Sequence, residues 1–253
     1  MSGNIRFKYR VMVIQQSGNH CAIPTCRKLL LKEGTKTDDP ANIGKLAHIK
    51  GEKPGTARYD PEMTDEERNH HSNLIYVCSN CHDMIDKQER KYTVEVLQDI
   101  KKKHEKWVRT SLEKKIVDVG FYELDQVTRH IASSPFDFDD FKTIKESIPL
   151  KEKMDKNELT DNVLDYIQIG LLKAKEVGSY VDDVATTDSQ FPKRLKGGFV
   201  DQYSKLHQEG LRGDSLFDAL VDFANSGNYD LKSQAAGIAV LVYLFEKCEV
   251  FES

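Results

Sequence analysis

Asn73-Leu-Ile-Tyr-Val-Cys78-Ser-Asn-Cys81-His82-Asp-Met-Ile-Asp86 changes character halfway along. Its first part, Asn73 to Val77, is a short strand-like run that ends at Cys78. Ser79 to Lys87 then opens a helix, with Cys78 and Cys81 at its start. On that helix His82 and Asp86 stand four residues apart and face one side. Two thiols, an imidazole and a carboxylate thus gather at one strand-to-helix junction.

Upstream, Cys21-Ala-Ile-Pro-Thr-Cys26 places two more sulfurs across a tight turn. Thiolates are soft ligands, and four of them suit a tetrahedral zinc site. Fifty-one residues separate Cys26 from Cys78, which is long for an isolated zinc ribbon. Something is therefore inserted between the two halves, and a metal on Cys21, Cys26, Cys78 and Cys81 would pin the ends of that insertion together. Four reduced core cysteines, or a redox pair at Cys78 and Cys81, are the alternatives. No βαβ pattern surrounds Cys78 and Cys81, which weighs against redox chemistry. The opening Met1-Ser-Gly-Asn-Ile-Arg lacks the apolar core of a signal peptide, so a cytoplasmic location is expected and metal is favoured over disulfides. The fifth cysteine, Cys248, reads as a small core residue of an apolar helix.

The 253 residues suffice for one large domain or two small ones, and 39% hydrophobic with 31% charged residues can bury a real core. The most apolar run, Ala235 to Phe245, falls short of the roughly 18 residues a membrane span needs, so no membrane partner is expected. Charge divides the chain. Residues 1–115 hold 22 Lys and Arg against 16 Asp and Glu, whereas residues 116–253 hold 15 against 25. A basic half suits phosphate contacts, and an acidic half suits a different partner.

Three parts follow: 1–115, a connector at 116–156, and a helical domain at 157–253. In the first, residues 8–16 read as a short helix, Lys28 to Lys32 and Lys45 to Lys50 as strands, and Gly34 to Pro40 as turns. Thr64 to Asn69 reads as a brief helix with Thr64 as N-cap and Glu67 three residues on. Thr93 to Lys114 is a longer helix, with Val94, Leu97, Ile100, Trp107 and Val108 near helical spacing. Its Lys101, Lys102, Lys103 and Lys106 read first as a solvated face and only second as phosphate contacts. The connector carries Ser133-Ser-Pro135 and Phe136-Asp-Phe-Asp-Asp-Phe141. Beyond Asn157 the stripes Leu159/Val163/Ile167/Leu171, Phe191/Leu195/Phe199/Tyr203/Leu206 and Leu216/Leu220/Phe223 predict helices, with Ile238 to Phe245 at the centre of a bundle. Gly178, Gly210, Gly213 and Gly227 read as breaks between them.

Side chains with hydrolytic character cluster in and after the insertion. His82 and Asp86 can bind one divalent cation, which can neutralise a scissile phosphate and its leaving oxygen. A separate neutral histidine, His48 in Leu46-Ala-His-Ile49, is free to take a proton from an attacking water. His70 and His71 could contribute, although a solvated loop pair is the plainer reading. Arg58 could contact phosphate, with a surface arginine as the default. His20 could replace a zinc ligand, and His104 and His130 have no partner motif.

Cys-x4-Cys, then Ala-His-Ile49, then Asn73 to Asp86 as quoted, resembles the HNH endonuclease family over about residues 8–110. The family's His, Asn and His are matched by His48, Asn73 and His82. The resemblance implies an α+β, ββα-metal N-terminal domain braced by a structural Zn2+ knuckle. It implies His48 as general base, His82 as ligand of a catalytic Mg2+ or Mn2+, and Asn73 as the residue that shapes the catalytic loop. Many relatives carry an acidic residue or histidine just before the catalytic histidine, where this chain has Ala47. Asp86 is then the expected extra ligand.

Gln190-Phe-Pro-Lys-Arg-Leu-Lys-Gly-Gly-Phe-Val-Asp-Gln-Tyr203 and Gly210-Leu-Arg-Gly-Asp-Ser-Leu-Phe217 are distinctive strings. Over roughly residues 157–250 they resemble helical C-terminal domains of effectors in ABC-ATPase-linked, three-component bacterial defence systems. That resemblance implies an all-α docking or regulatory domain with an ABC-type ATPase or sensor as protein partner. The plainer reading is a bundle that only dimerises or stabilises the chain. The expected activity is cleavage of nucleic-acid phosphodiesters, DNA ahead of RNA. The alternatives are a non-catalytic zinc module that binds nucleic acid and a scaffold subunit of a larger complex.

Overall fold

The run Leu74–Cys78 becomes a strand because apolar side chains on both of its faces can be buried: Leu74, Ile75, Tyr76 and Val77 are all almost wholly inaccessible. A computed structural model describes residues 5–32, 34–35, 37–134, 149–225 and 229–247, which cluster into two units, Met1–Thr110 and Ser111–Ser253. The chain is mostly helical, with ten α-helices and four short strands among the described residues. None of the described helices is long and apolar enough to cross a membrane. Cys248 and the stretch from Pro135 through Phe141 lie outside the described residues, as does Gly227.

In the first unit the order is α1 (Phe7–Gln16), β1 (Leu31–Lys32), β2 (Ala41–Asn42), β3 (Gly44–His48), α2 (Asp65–Arg68), a 3-10 turn (His71–Asn73), β4 (Leu74–Cys78), α3 (Ser79–Lys87) and α4, which spans Val94–Ile116. β3 and β4 pair antiparallel with Gly44 opposite Cys78 and His48 opposite Leu74, and α3 packs on both. Gly44 is required there: a Cβ would fall 2.3 Å from the Tyr76 ring, whose hydroxyl donates to Asn42 Oδ1 at 2.6 Å. The short α2 is held by its ends. Thr64 Oγ1 accepts from the Glu67 backbone at 3.3 Å, and Glu67 Oε2 accepts from the Thr64 backbone at 2.8 Å.

The strand expected over Lys28–Lys32 shrinks to Leu31–Lys32. The backbone before it closes the cysteine turn instead, with Cys21 N donating to Lys28 O at 2.9 Å and Leu30 N to Asn19 O at 2.8 Å. The strand expected over Lys45–Lys50 ends at His48, and the Lys50 N–H is taken by Asn73 Oδ1 at 2.9 Å.

The second unit is built from α5 (Phe121–Ser133), α6 (Leu150–Lys156), α7 (Asp161–Thr187), α8 (Phe191–Gln208), α9 (Gly213–Asn225) and α10 (Leu231–Lys247). Helix α10, apolar almost all round, packs against α7, α9 and α5 as its pattern predicts. Residues 116–156, read as a connector, supply α5, whose stripe Leu124, Val127, Ile131 is buried and packs on α8 and α10. Lys153 of α6 is 1% exposed, and its ammonium donates to Phe245 O at 2.9 Å and Glu246 O at 3.1 Å. It thereby caps carbonyls at the end of α10, where a cation opposes the helix dipole.

Glycines do less punctuating than expected. Gly210 and Gly213 have positive φ between α8 and α9, but Gly178 lies inside α7. Gly198 serves a helix crossing, where an added Cβ would sit 2.0 Å from the Ile131 carbonyl oxygen. Neither backbone can move aside alone, so Gly198→Ala must separate α5 from α8. A stability loss of roughly 1–3 kcal/mol is expected in urea denaturation. Gly178→Ala, whose Cβ would meet only Tyr243 at 3.4 Å, should be neutral or stabilise by up to about 1 kcal/mol. Equal effects of the two substitutions would contradict the crossing.

Candidate functional site

The four paired cysteines converge. Cys21 follows the turn after α1, Cys26 closes its own loop, Cys78 ends β4 and Cys81 lies in the first turn of α3. Their sulfurs all lie within 4.8 Å of one another, and Cys26 Sγ stands 3.9 Å from Cys78 Sγ. These are free thiols, not disulfides. A tetrahedral zinc with bonds of about 2.3 Å sets sulfurs roughly 3.8 Å apart, so the cluster could hold a structural metal ion such as zinc. The Cys78 backbone N–H points at Cys21 Sγ at 3.4 Å, a donor that favours thiolate charge. Without a cation, burial pushes the Cys21 thiol up to about 11. A bound cation acts in the opposite sense and holds such a thiol deprotonated. His20 is not part of this group: its Nδ1 meets Gly18 O at 2.5 Å and its ring packs on Trp107.

His48 ends β3, half-buried, with Nε2 3.2 Å from Asn69 Oδ1. Asn73 stands just before the strand partner of His48 and clamps the adjoining loop. Its Oδ1 accepts from Lys50 N at 2.9 Å, and its Nδ2 donates to Lys50 O at 3.0 Å and Arg68 O at 2.9 Å. Ala47 is 1% exposed and belongs to the apolar core with Ile75 and Ile85, so it offers no ligand and no room for one.

On α3, His82 Nδ1 lies 3.2 Å from Asp86 Oδ2, as their spacing predicts. The other carboxylate oxygen is taken: Arg58 Nη2 donates to Asp86 Oδ1 at 2.8 Å. The Asp86 side chain is 41% exposed and lies between the guanidinium and the imidazole. His82 and Asp86 thus stand side by side on one face of α3, within ion-pair distance. Arg58, far from being a surface residue, has a side chain only 5% exposed. It also donates from Nε to Ile49 O and from Nη1 to Ile85 O, both at 2.8 Å. One guanidinium thus joins the end of β3 to the helix that carries His82. Nothing in the local sequence marks Arg58, because its partners lie 9 and 27–28 residues away.

Other ionisable groups are placed elsewhere. His70 and His71 are not a solvated pair; they pack against each other and against Tyr9 of α1 in tilted and edge-on contacts, with ring centroids 4.2 Å apart and 4.8 Å from His70 to Tyr9. His104 is buried, donates from Nε2 to Ser17 O at 3.0 Å and stacks on Trp107. His130 packs on Phe223. On α4, Lys103 pairs with Asp99 and is 71% exposed, which fits the solvated-face reading, whereas Lys101 pairs with Glu105 and is only 14% exposed. A cleft of about 470 Å³ beside Arg58 sets Lys50 and Arg90 against Asp60, Glu89 and Glu95, so its lining gives phosphate no electrostatic preference. A scan against protein-family models and a search of curated proteins both found no match for this chain.

Two outcomes follow. Wild-type protein should carry one equivalent of zinc, and Cys26→Ser or Cys81→Ser should lose it together with much of the first unit's helical signal. Elemental analysis and circular dichroism check this; a folded, metal-free wild type with four titratable thiols would sink the metal assignment. Separately, burial pushes His71 down to about 4 from an ordinary value of 6.5. The unfolded chain then binds more protons between those values, so the contribution is complete above pH 6.5 and is lost as pH falls toward 4. Over that window wild type should lose stability relative to His71→Gln, and parallel stability curves would contradict this.

Proposed function

We propose that residues 1–115 form a metal-dependent endonuclease of the HNH type, a ββα-metal unit braced by zinc on Cys21, Cys26, Cys78 and Cys81, which hydrolyses phosphodiester bonds of DNA. One observation carries the reading. The β3–β4–α3 assembly sets an imidazole and a carboxylate side by side on one helix, His82 Nδ1 3.2 Å from Asp86 Oδ2, and holds a second imidazole, His48, by Nε2 on Asn69. The pair on the helix is suited to bind a cation, and His48 keeps Nδ1 to take a proton. The positive balance of this half of the chain suits a polyanionic substrate.

In the proposed reaction His48 Nδ1 accepts a proton from water while the water oxygen bonds to phosphorus. The opposite phosphorus–oxygen bond breaks, and the leaving oxygen takes its proton from solvent. Water and diester become a monoester and an alcohol. A divalent cation at His82, Mg2+ or Mn2+, would neutralise charge on the phosphate and the leaving oxygen. His82 and Asp86 would supply its protein ligands, and water and phosphate oxygens would complete the set, as is usual for such cations. Arg58 holds the Asp86 carboxylate in place beside His82. Asn73 keeps the loop after His48 in shape.

The acidic helical unit, 157–253, is proposed to dock a protein partner, an ABC-type ATPase, and to regulate the nuclease as the effector of an antiphage defence system. The buried Ala47 favours a second reading, a zinc module that binds nucleic acid without cutting it.

Purified wild type, His48→Ala and His82→Ala, each with retained zinc, would be incubated with plasmid DNA and with RNA under Mg2+ or Mn2+. Cutting by wild type is expected, abolished by chelation and lowered about 10²- to 10⁴-fold in His48→Ala, the range for loss of a general base. Folded wild type that binds DNA but never cuts it, with the partner ATPase present, supports the second reading and ends the first.

A further inference from the structure

We infer that Asn69 is a positioning residue that fixes His48 as the Nε2–H tautomer and so leaves Nδ1 as the proton acceptor; this rests on the hydrolytic reading above. The side-chain amide of Asn69 has its orientation set independently of His48. Its Nδ2 donates to Asp65 O at 2.9 Å, and its backbone N–H donates to the same carbonyl at 3.2 Å. Turning the amide over would bring two oxygens together at Asp65, so Oδ1 is the atom that faces His48. An amide oxygen only accepts. The 3.2 Å contact to Nε2 is therefore a hydrogen bond only when the proton sits on Nε2. His48 Nδ1 makes no hydrogen bond within the described residues, which leaves its lone pair for water.

The placement of Asn69 is itself well supported. It closes α2, whose start is locked by the reciprocal Thr64–Glu67 bonds. Its neighbour Arg68 is buried and donates to Gly51 O, Asp60 O and Met63 O. Arg68 O in turn accepts from Asn73 Nδ2. The amide that holds the histidine and the amide that shapes its loop are thus one peptide apart. During hydrolysis the water proton would move to Nδ1, and the imidazolium would keep its Nε2–H on Asn69 until Nδ1 returns the proton to solvent. Asn69 touches neither water nor phosphate; it acts through the ring.

The test reads the ring directly. In 15N-labelled wild type at neutral pH, long-range N–H correlations should show His48 with a protonated Nε2 and an unprotonated Nδ1, its signals assigned by their loss in His48→Gln. Asn69→Ala should show both tautomers in exchange and cut about 10- to 100-fold more slowly, the usual cost of losing such an orienting group. A wild-type His48 protonated on Nδ1, or exchanging between forms, overturns the proposal, as does an Asn69→Ala protein with unchanged tautomer and rate. The tautomer is read without any substrate, so an inert wild type would end the nuclease reading while this measurement still decides the role of Asn69.

Discussion

The convergence of Cys21, Cys26, Cys78 and Cys81 is the constraint on which the first unit depends. Bringing the ends of a 51-residue insertion together costs roughly 3–4 kcal/mol of chain entropy. Within that loop lie only short strands, a one-turn helix and a 3-10 turn, too little to close it by their own packing. A cation on four thiolates offsets such a cost many times over. With the ends fixed, β3 can lie against β4, and the residues between can form the loops around His48.

Those loops are organised by two arginines that use their donors in different ways. Arg68 satisfies three backbone carbonyls and lies over the Tyr59 ring, holding the loop to itself. Arg58 satisfies two carbonyls and a carboxylate on different elements, and does so from a left-handed backbone conformation, φ 58°. That conformation is unfavourable for a side chain with a Cβ. It persists here because three hydrogen bonds, one of them to a charged partner, over-determine the residue. The Asp86 carboxylate beside His82 is in this sense held by a residue that stores backbone strain 28 residues before it.

The features that were legible in the sequence are local ones. The cysteine pairs, the Thr64–Glu67 capping pair, the long helix from Val94 and the His82–Asp86 spacing each follow from separations of a few residues, and the structure places them so. What escaped depends on distance. The strand at Lys28 was cut short because its backbone bonds went to the segment around Asn19. Arg58 reads as a surface arginine and Asn69 as the end of a brief helix, since neither carries a pattern until partners 9 to 28 residues away are brought up to it. Gly198 sits in a helix where propensity alone counts against it, and only the neighbouring helix explains it. Helix α5 is a different case: its Leu124, Val127, Ile131 spacing is helical, but Ser133-Ser-Pro135 and the acidic-aromatic tract after it give residues 116–156 the composition of a linker.

The pairing of β3 with β4 has a further consequence. Cys78 is the last residue of that ladder, opposite Gly44. A slip of one residue would carry Cys78 about 3.3 Å along the strand and turn its side chain to the opposite face. Leu74 to Val77 are apolar throughout and would resist such a slip only weakly, because either face of the strand is greasy enough to be buried. The sulfur would not be so tolerant: shifted by one place it leaves the group of four. The cysteine cluster thus acts as a checksum on strand alignment, completed only by the register that also sets His48 at its station.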